Sequence, residues 1–91
     1  MLEKDIEKKV KAYAKSKGWL VFKFSSPAHR GVPDGMFIRD GRVFFIEFKQ
    51  LGKKATKLQQ ITIDKIICED IKVFVCDSVE QGKGIVDAQS K

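Results

Sequence analysis

Leu2, Ile6, Val10, Tyr13 and Ala14 recur at three- and four-residue spacing, which predicts a helix over residues 2–17 stopped by Gly18. The period then changes. WLVFKF, residues 19–24, is aromatic and β-branched and reads as a strand. SSPAHRGVP, residues 25–33, has no regular period and reads as a loop. Residues 31–50, GVPDGMFIRDGRVFFIEFKQ, contain two apolar strands around the two-residue turn Asp40-Gly41. After the basic loop LGKKA, Thr56 is placed to cap a helix from Lys57 to about Cys68, with Leu58, Ile61 and Ile66 as its expected buried stripe. KVFVC, residues 72–76, is a further strand. The tail from Ser78 is expected to be a short helix broken by Gly82 and Gly84 before a weakly ordered end. The order αβββαβα predicts an α/β fold in which helices cover the sheet.

Composition narrows this picture. The 91 residues, free of repeats and linkers, suit one domain over 1–91, with little room for a catalytic pocket separate from the core. No apolar run is long enough for a membrane span, and MLEKDIEKK is too charged for a signal peptide, so a cytoplasmic protein with no membrane partner is expected. Cys68 and Cys76 lack metal-ligand spacing and are read as small core residues. Eighteen Lys and Arg against twelve Asp and Glu give a net charge of +6, which favours a polyanionic partner, nucleic acid first.

Charge inside the hairpin changes the picture most. With Asp40-Gly41 as the turn, Arg39 faces Arg42, Phe37 faces Phe44, and Asp34 faces Glu47. The two carboxylates project from one face at about 4.5–5.5 Å between Cβ atoms, and Lys49 points to that face too. Met36, Ile38, Val43 and Phe45 share the face, while Phe37, Phe44, Ile46 and Phe48 take the other, so both faces are expected to be covered except at the Asp34 end. Two ionised carboxylates this close repel one another unless something offsets them. A divalent cation such as Mg²⁺ or Mn²⁺, which prefers oxygen ligands, is the obvious candidate. The plainer reading makes Asp34 a turn residue and Glu47 with Lys49 an exposed ion pair.

These residues resemble a known signature. Pro33-Asp34 followed by Glu47-Phe48-Lys49 is similar to the PD-(D/E)XK nuclease motif. The wider pattern, with Gly31-Val32 before it and Thr56-Lys57-Leu58-Gln59 after it, resembles the VRR-NUC branch, the virus-type replication-repair nucleases, whose small stand-alone members occur in bacteriophages. The resemblance implies a restriction-endonuclease-like αβββαβ core, a mixed sheet flanked by helices. It further implies a Mg²⁺- or Mn²⁺-dependent endonuclease acting on DNA. Asp34 and Glu47 match the metal-binding acids, joined by the carbonyl of Phe48. Lys49 matches the catalytic lysine and Gln59 the supporting glutamine. Glu3 fits the helix-one acid, with Glu7 one turn later as second choice.

Residues flanking this motif offer phosphate contacts: Ser26 and Arg30 in the loop before it, and Lys53, Lys54 and Lys57 after it. His29, the single histidine, is not needed by this chemistry, and Trp19 and Tyr13 read as core. Stand-alone members of the branch resemble Holliday-junction resolvases, so branched DNA and a homodimer are expected. The competing reading is a non-catalytic DNA-binding module on a nuclease fold; decay of that kind should have removed an acid or the lysine.

Overall fold

The computed structural model describes all 91 residues. Its elements are α1 (Glu3–Ser16), β1 (Leu20–Lys23), β2 (Gly35–Arg39), β3 (Arg42–Phe48), α2 (Lys57–Ile67), β4 (Lys72–Cys76) and α3 (Val79–Gln89). The four strands form one sheet in the order β1-β2-β3-β4, with β1–β2 and β2–β3 antiparallel and β3–β4 parallel. This is the α/β architecture expected, with a mixed sheet.

The β2–β3 register follows from the turn. Asp40 and Gly41 both have positive φ, 49° and 76°, as a two-residue primed turn requires, and Arg39↔Arg42, Phe37↔Phe44 and Gly35↔Ile46 are paired. One more step along that register sets Asp34 against Glu47.

Alternation along the strands then makes two cores. Ile6, Val10 and Ala14 of α1 and Val86 of α3 bury against Phe37, Phe44, Ile46 and Phe48 on one face. On the other face α2 places Ile63 over Phe45 and Val73. Because β3 leads into α2, β4 leads into α3, and α1 returns into β1, all three helices run against β3 and β4. Their N-termini therefore share the end of the sheet where β3 and β4 finish.

Five expectations are corrected here. Leu58 and Ile61 are exposed rather than buried, at 49% and 46%; the inward stripe is Thr62, Ile63 and half-buried Ile66. The face bearing Glu47 is not fully covered, because α2 lies toward β4 and leaves Leu20, Phe22 and Val43 exposed. Cys68 is exposed just past the end of α2, whereas Cys76 is buried. Finally, α3 is unbroken through Gly82 and Gly84. A Cβ at Gly82 would run into both methyls of Val10, so this glycine permits α1 and α3 to approach rather than ending a helix. The C-terminus is tied down as well: Trp19 Nε1 donates to Ser90 Oγ at 2.9 Å, and Arg42 donates to the carbonyl of Gln89 at 2.8 Å.

Candidate active site at the end of the sheet

Asp34 is fixed at both ends. Its carbonyl accepts from the N–H of Phe24 at 2.7 Å, extending the β1–β2 ladder, and its Oδ2 accepts from the N–H of Phe48 at 3.1 Å. The preceding loop is pinned to α2, where Thr62 Oγ1 donates to the carbonyl of Arg30 at 3.3 Å. Gly31, at φ 87°, has no room for a side chain: a Cβ would stand 2.9 Å from Thr62 Oγ1 and 3.0 Å from the carbonyl oxygen of Leu58. The carboxylate of Asp34 is thus aimed at β3 by backbone geometry on both sides.

Glu47 is buried, with 2% exposure, in the last turn of the pleat before β3 ends. Its Oε2 accepts from Gln59 Nε2 at 3.1 Å and lies 3.4 Å from Lys49 Nζ. Gln59 reaches it through a capping box. The Gln59 N–H donates to Thr56 Oγ1 and the Thr56 N–H donates to Gln59 Oε1, at 3.2 and 2.9 Å. The same amide that closes the helix end therefore has its nitrogen free for Glu47. Facing Gln59 inward also sets the rotation of α2: residues 59, 63 and 66 share one side, which turns Leu58 and Ile61 outward.

The other oxygen of Glu47, Oε1, is buried with no hydrogen-bond partner. A buried, unpaired carboxylate oxygen is costly, and such an atom calls for an explanation. The electrostatics reflect the same cost. Burial, and then the charge of Asp34, push the Glu47 carboxyl from its ordinary 4.5 up to about 7, against the pull of Lys49. Asp34 is raised too, chiefly by burial, despite the Phe48 N–H and the charges of Lys23 and Lys11. The positive ends of three helix dipoles share this end of the sheet and temper the concentration of negative charge.

Comparison with known proteins follows the same lines. No protein-family model matches the sequence. The chain is 34% identical over 77 residues to "Putative nuclease p44" of Acyrthosiphon pisum secondary endosymbiont phage 1, covering 84% of this chain and 83% of the relative. A solved VRR_NUC domain superposes over 93% of this chain and 94% of its own, with a TM-score of 0.86 and 25% identity. The chain belongs to the VRR-NUC nucleases.

In this VRR-NUC nuclease the sequence-expected residues fall into two groups. Asp34, Glu47, Lys49 and Gln59 converge, and Phe48, next to Glu47 in the chain, donates its N–H to Asp34. Glu3 acts on Glu47 through space but remains exposed, and no three His, Cys, Asp or Glu side chains come together as a ligand group. Arg30, Lys53, Lys54 and Lys57 are exposed, and Ser26 is half-buried in the loop before Asp34. Trp19 is core, edge-on to Phe44, and Tyr13 packs against the same core while its hydroxyl donates to Asp87. Two residues beside the site were not singled out by the sequence, Lys11 and Lys23, whose charges act on Asp34. No helix is long and apolar enough to cross a membrane.

Proposed function

We propose that this chain is a divalent-metal-dependent endonuclease that hydrolyses DNA phosphodiester bonds, preferring branched DNA such as a four-way junction. One observation carries the reading: a buried glutamate with an orphaned oxygen stands beside a second, half-buried acid at the end of a sheet. An all-oxygen donor set of this kind fits Mg²⁺ or Mn²⁺. Asp34, Glu47 and the carbonyl of Phe48 are the groups that would hold the ion. When bound, such a cation lowers the pKa of a water molecule and offsets charge on the phosphoryl group.

The chain's own residues then have distinct tasks. Gln59 keeps Glu47 Oε2 engaged, so that Oε1 is the oxygen left for the ion. The Phe48 N–H does the same for Asp34 Oδ2. Lys49, mostly buried and 3.4 Å from Glu47, is the cation nearest the reacting phosphate; it orients or deprotonates the attacking water and balances charge in the transition state. Arg30, Lys53, Lys54 and Lys57 hold flanking backbone phosphates, with Ser26 as a neutral donor. The protein works in the cytoplasm as a homodimer, whose two-fold symmetry presents two sites to a junction for paired nicks.

A labelled four-way junction, a flap and a linear duplex, incubated with Mg²⁺, with Mn²⁺ and with EDTA, test this reading. Cleavage is expected in either metal, fastest on the junction, and abolished by EDTA. Cleavage that persists in EDTA contradicts metal dependence, and metal-independent binding without any cleavage turns the domain into a binding module. Light scattering with and without junction DNA tests the dimer; a monomer in both states contradicts it.

A further inference from the structure

Glu7 and Lys11 form a second largely buried ion pair beside that of Lys49 and Glu47. Lys11 Nζ lies 2.6 Å from Glu7 Oε2, and the two side chains are 16% and 17% exposed. They sit one turn apart on α1, a spacing that usually contributes little on an open helix surface. Their surroundings are different. The Lys11 stem runs beneath the start of β2, where its Cε lies 3.2 Å from the place a Cβ on Gly35 would occupy. Its ammonium stands 6.0 Å from the ring centre of Phe48. Gly35 has no positive φ, so its glycine answers to space: Phe37 Cε1 and Lys11 Cε fill the room that a side chain would need. The absence of a side chain next to Asp34 thus lets Lys11 lie against the start of β2 and near the Phe48 ring at the end of β3.

We infer that Lys11 is a positioning residue that withholds Glu7 from the metal centre, leaving Glu3 as the acid that α1 offers. The inference rests on the metal-dependent reading above. Glu7 and Glu3 are four residues apart, and both act on the site: Glu7 bears on Asp34 and Glu3 on Glu47. Only Glu7 carries a close cationic partner, and that partner is held by the fold rather than by solvent. A carboxylate already neutralised at 2.6 Å by a half-caged ammonium is a poor ligand for a second cation. Lys11 meanwhile supplies fixed positive charge behind Asp34, which favours a centre that takes one ion instead of two.

Direct Mn²⁺ binding to the full chain, measured by calorimetry or by the electron-paramagnetic signal of free Mn²⁺, tests this without relying on cleavage. One ion per chain is expected for the natural protein and for Glu7→Gln, at the same affinity. Lys11→Met should free Glu7 and tighten Mn²⁺ binding about tenfold or add a second ion, in the range typical of changes to groups behind a metal site. Lys11→Arg, which keeps the ion pair, should behave like the natural protein, and the double variant Lys11→Met/Glu7→Gln should return to it. Should Lys11→Met fail to fold, the Glu7→Gln and Lys11→Arg results still decide. A loss of affinity in Glu7→Gln as large as that in Glu3→Gln makes Glu7 a ligand and overturns the inference, as does unchanged binding in a folded Lys11→Met. If Asp34→Asn abolishes binding while Glu7→Gln weakens it, the metal-dependent reading stands and only the role of Lys11 falls. A natural protein that binds no Mn²⁺ overturns both.

Discussion

Replacing the buried acid by its neutral isostere should make the metal-free protein more stable. Glu47→Gln keeps the side chain's volume and its acceptor for Gln59 Nε2, which lies at 3.1 Å, but removes the ionisation. In the folded chain the Glu47 carboxyl is raised from 4.5 to about 7, so the folded state holds a proton that the unfolded state has released. Stability from this group is therefore fully present below about pH 4.5 and lost as pH rises through about 7. At about 1.4 kcal/mol per pH unit, that displacement amounts to about 3 kcal/mol at pH 8. For a domain of this size such a gain corresponds to a rise in melting temperature on the order of 10 °C or more. Urea unfolding followed by circular dichroism, in EDTA between pH 4.5 and 8.5, reads it directly. The variant's advantage should be near zero at the acid end and grow to about 3 kcal/mol at the alkaline end. Saturating Mn²⁺ should reverse the order at pH 8, because it stabilises only the chain that can bind it. An advantage that is flat across pH refutes the argument, since it would mean that Glu47 carries no ionisation cost.

Two further substitutions examine the scaffold. Gln59→Ala removes both a helix cap and the donor to Glu47; about 1 kcal/mol of stability and roughly 10–100-fold in cleavage rate should be lost, measured by thermal melting and single-turnover kinetics. Gly82→Ala drives a methyl into Val10 between α1 and α3 and should cost about 1–3 kcal/mol in thermal melts, with cleavage below the melting transition unchanged. Adding Val10→Ala to it should recover part of that loss if the clash is the cause.

The parts of this molecule that were legible in its sequence are those governed by short-range rules. Asp40-Gly41 fixes a primed turn, the turn fixes the register, and the register alone brings Asp34 opposite Glu47 with Lys49 on the same side. Thr56 was likewise legible as the cap of α2, and the structure adds that Gln59 closes a capping box with it. What failed depended on competition between distant groups. Ranking α2 by hydrophobicity puts Leu58 and Ile61 inside, but the fold needs Gln59 on that side, and a polar residue claims the inward stripe. Gly82 and Gly84 read locally as helix breakers, because only the approach of Val10 reveals why one of them is there. Lys11 was passed over for a similar reason. On its own helix it is one of several lysines, and its place behind Asp34 becomes visible only when Gly35 leaves room for it.

The central claim is that the opposed acids and Lys49 form one metal-dependent hydrolytic centre. Single-turnover cleavage of a labelled four-way junction against Mg²⁺ concentration tests it most directly, with Asp34→Ala and Lys49→Ala beside the natural chain. The natural chain should show saturable Mg²⁺ dependence. Asp34→Ala should show no cleavage at any Mg²⁺ concentration. Lys49→Ala should fall by about 10²–10⁴-fold while junction affinity is kept, as expected for a group that acts on the reacting atoms. Cleavage by both folded variants at the natural rate would place the chemistry elsewhere in the chain and contradict the account.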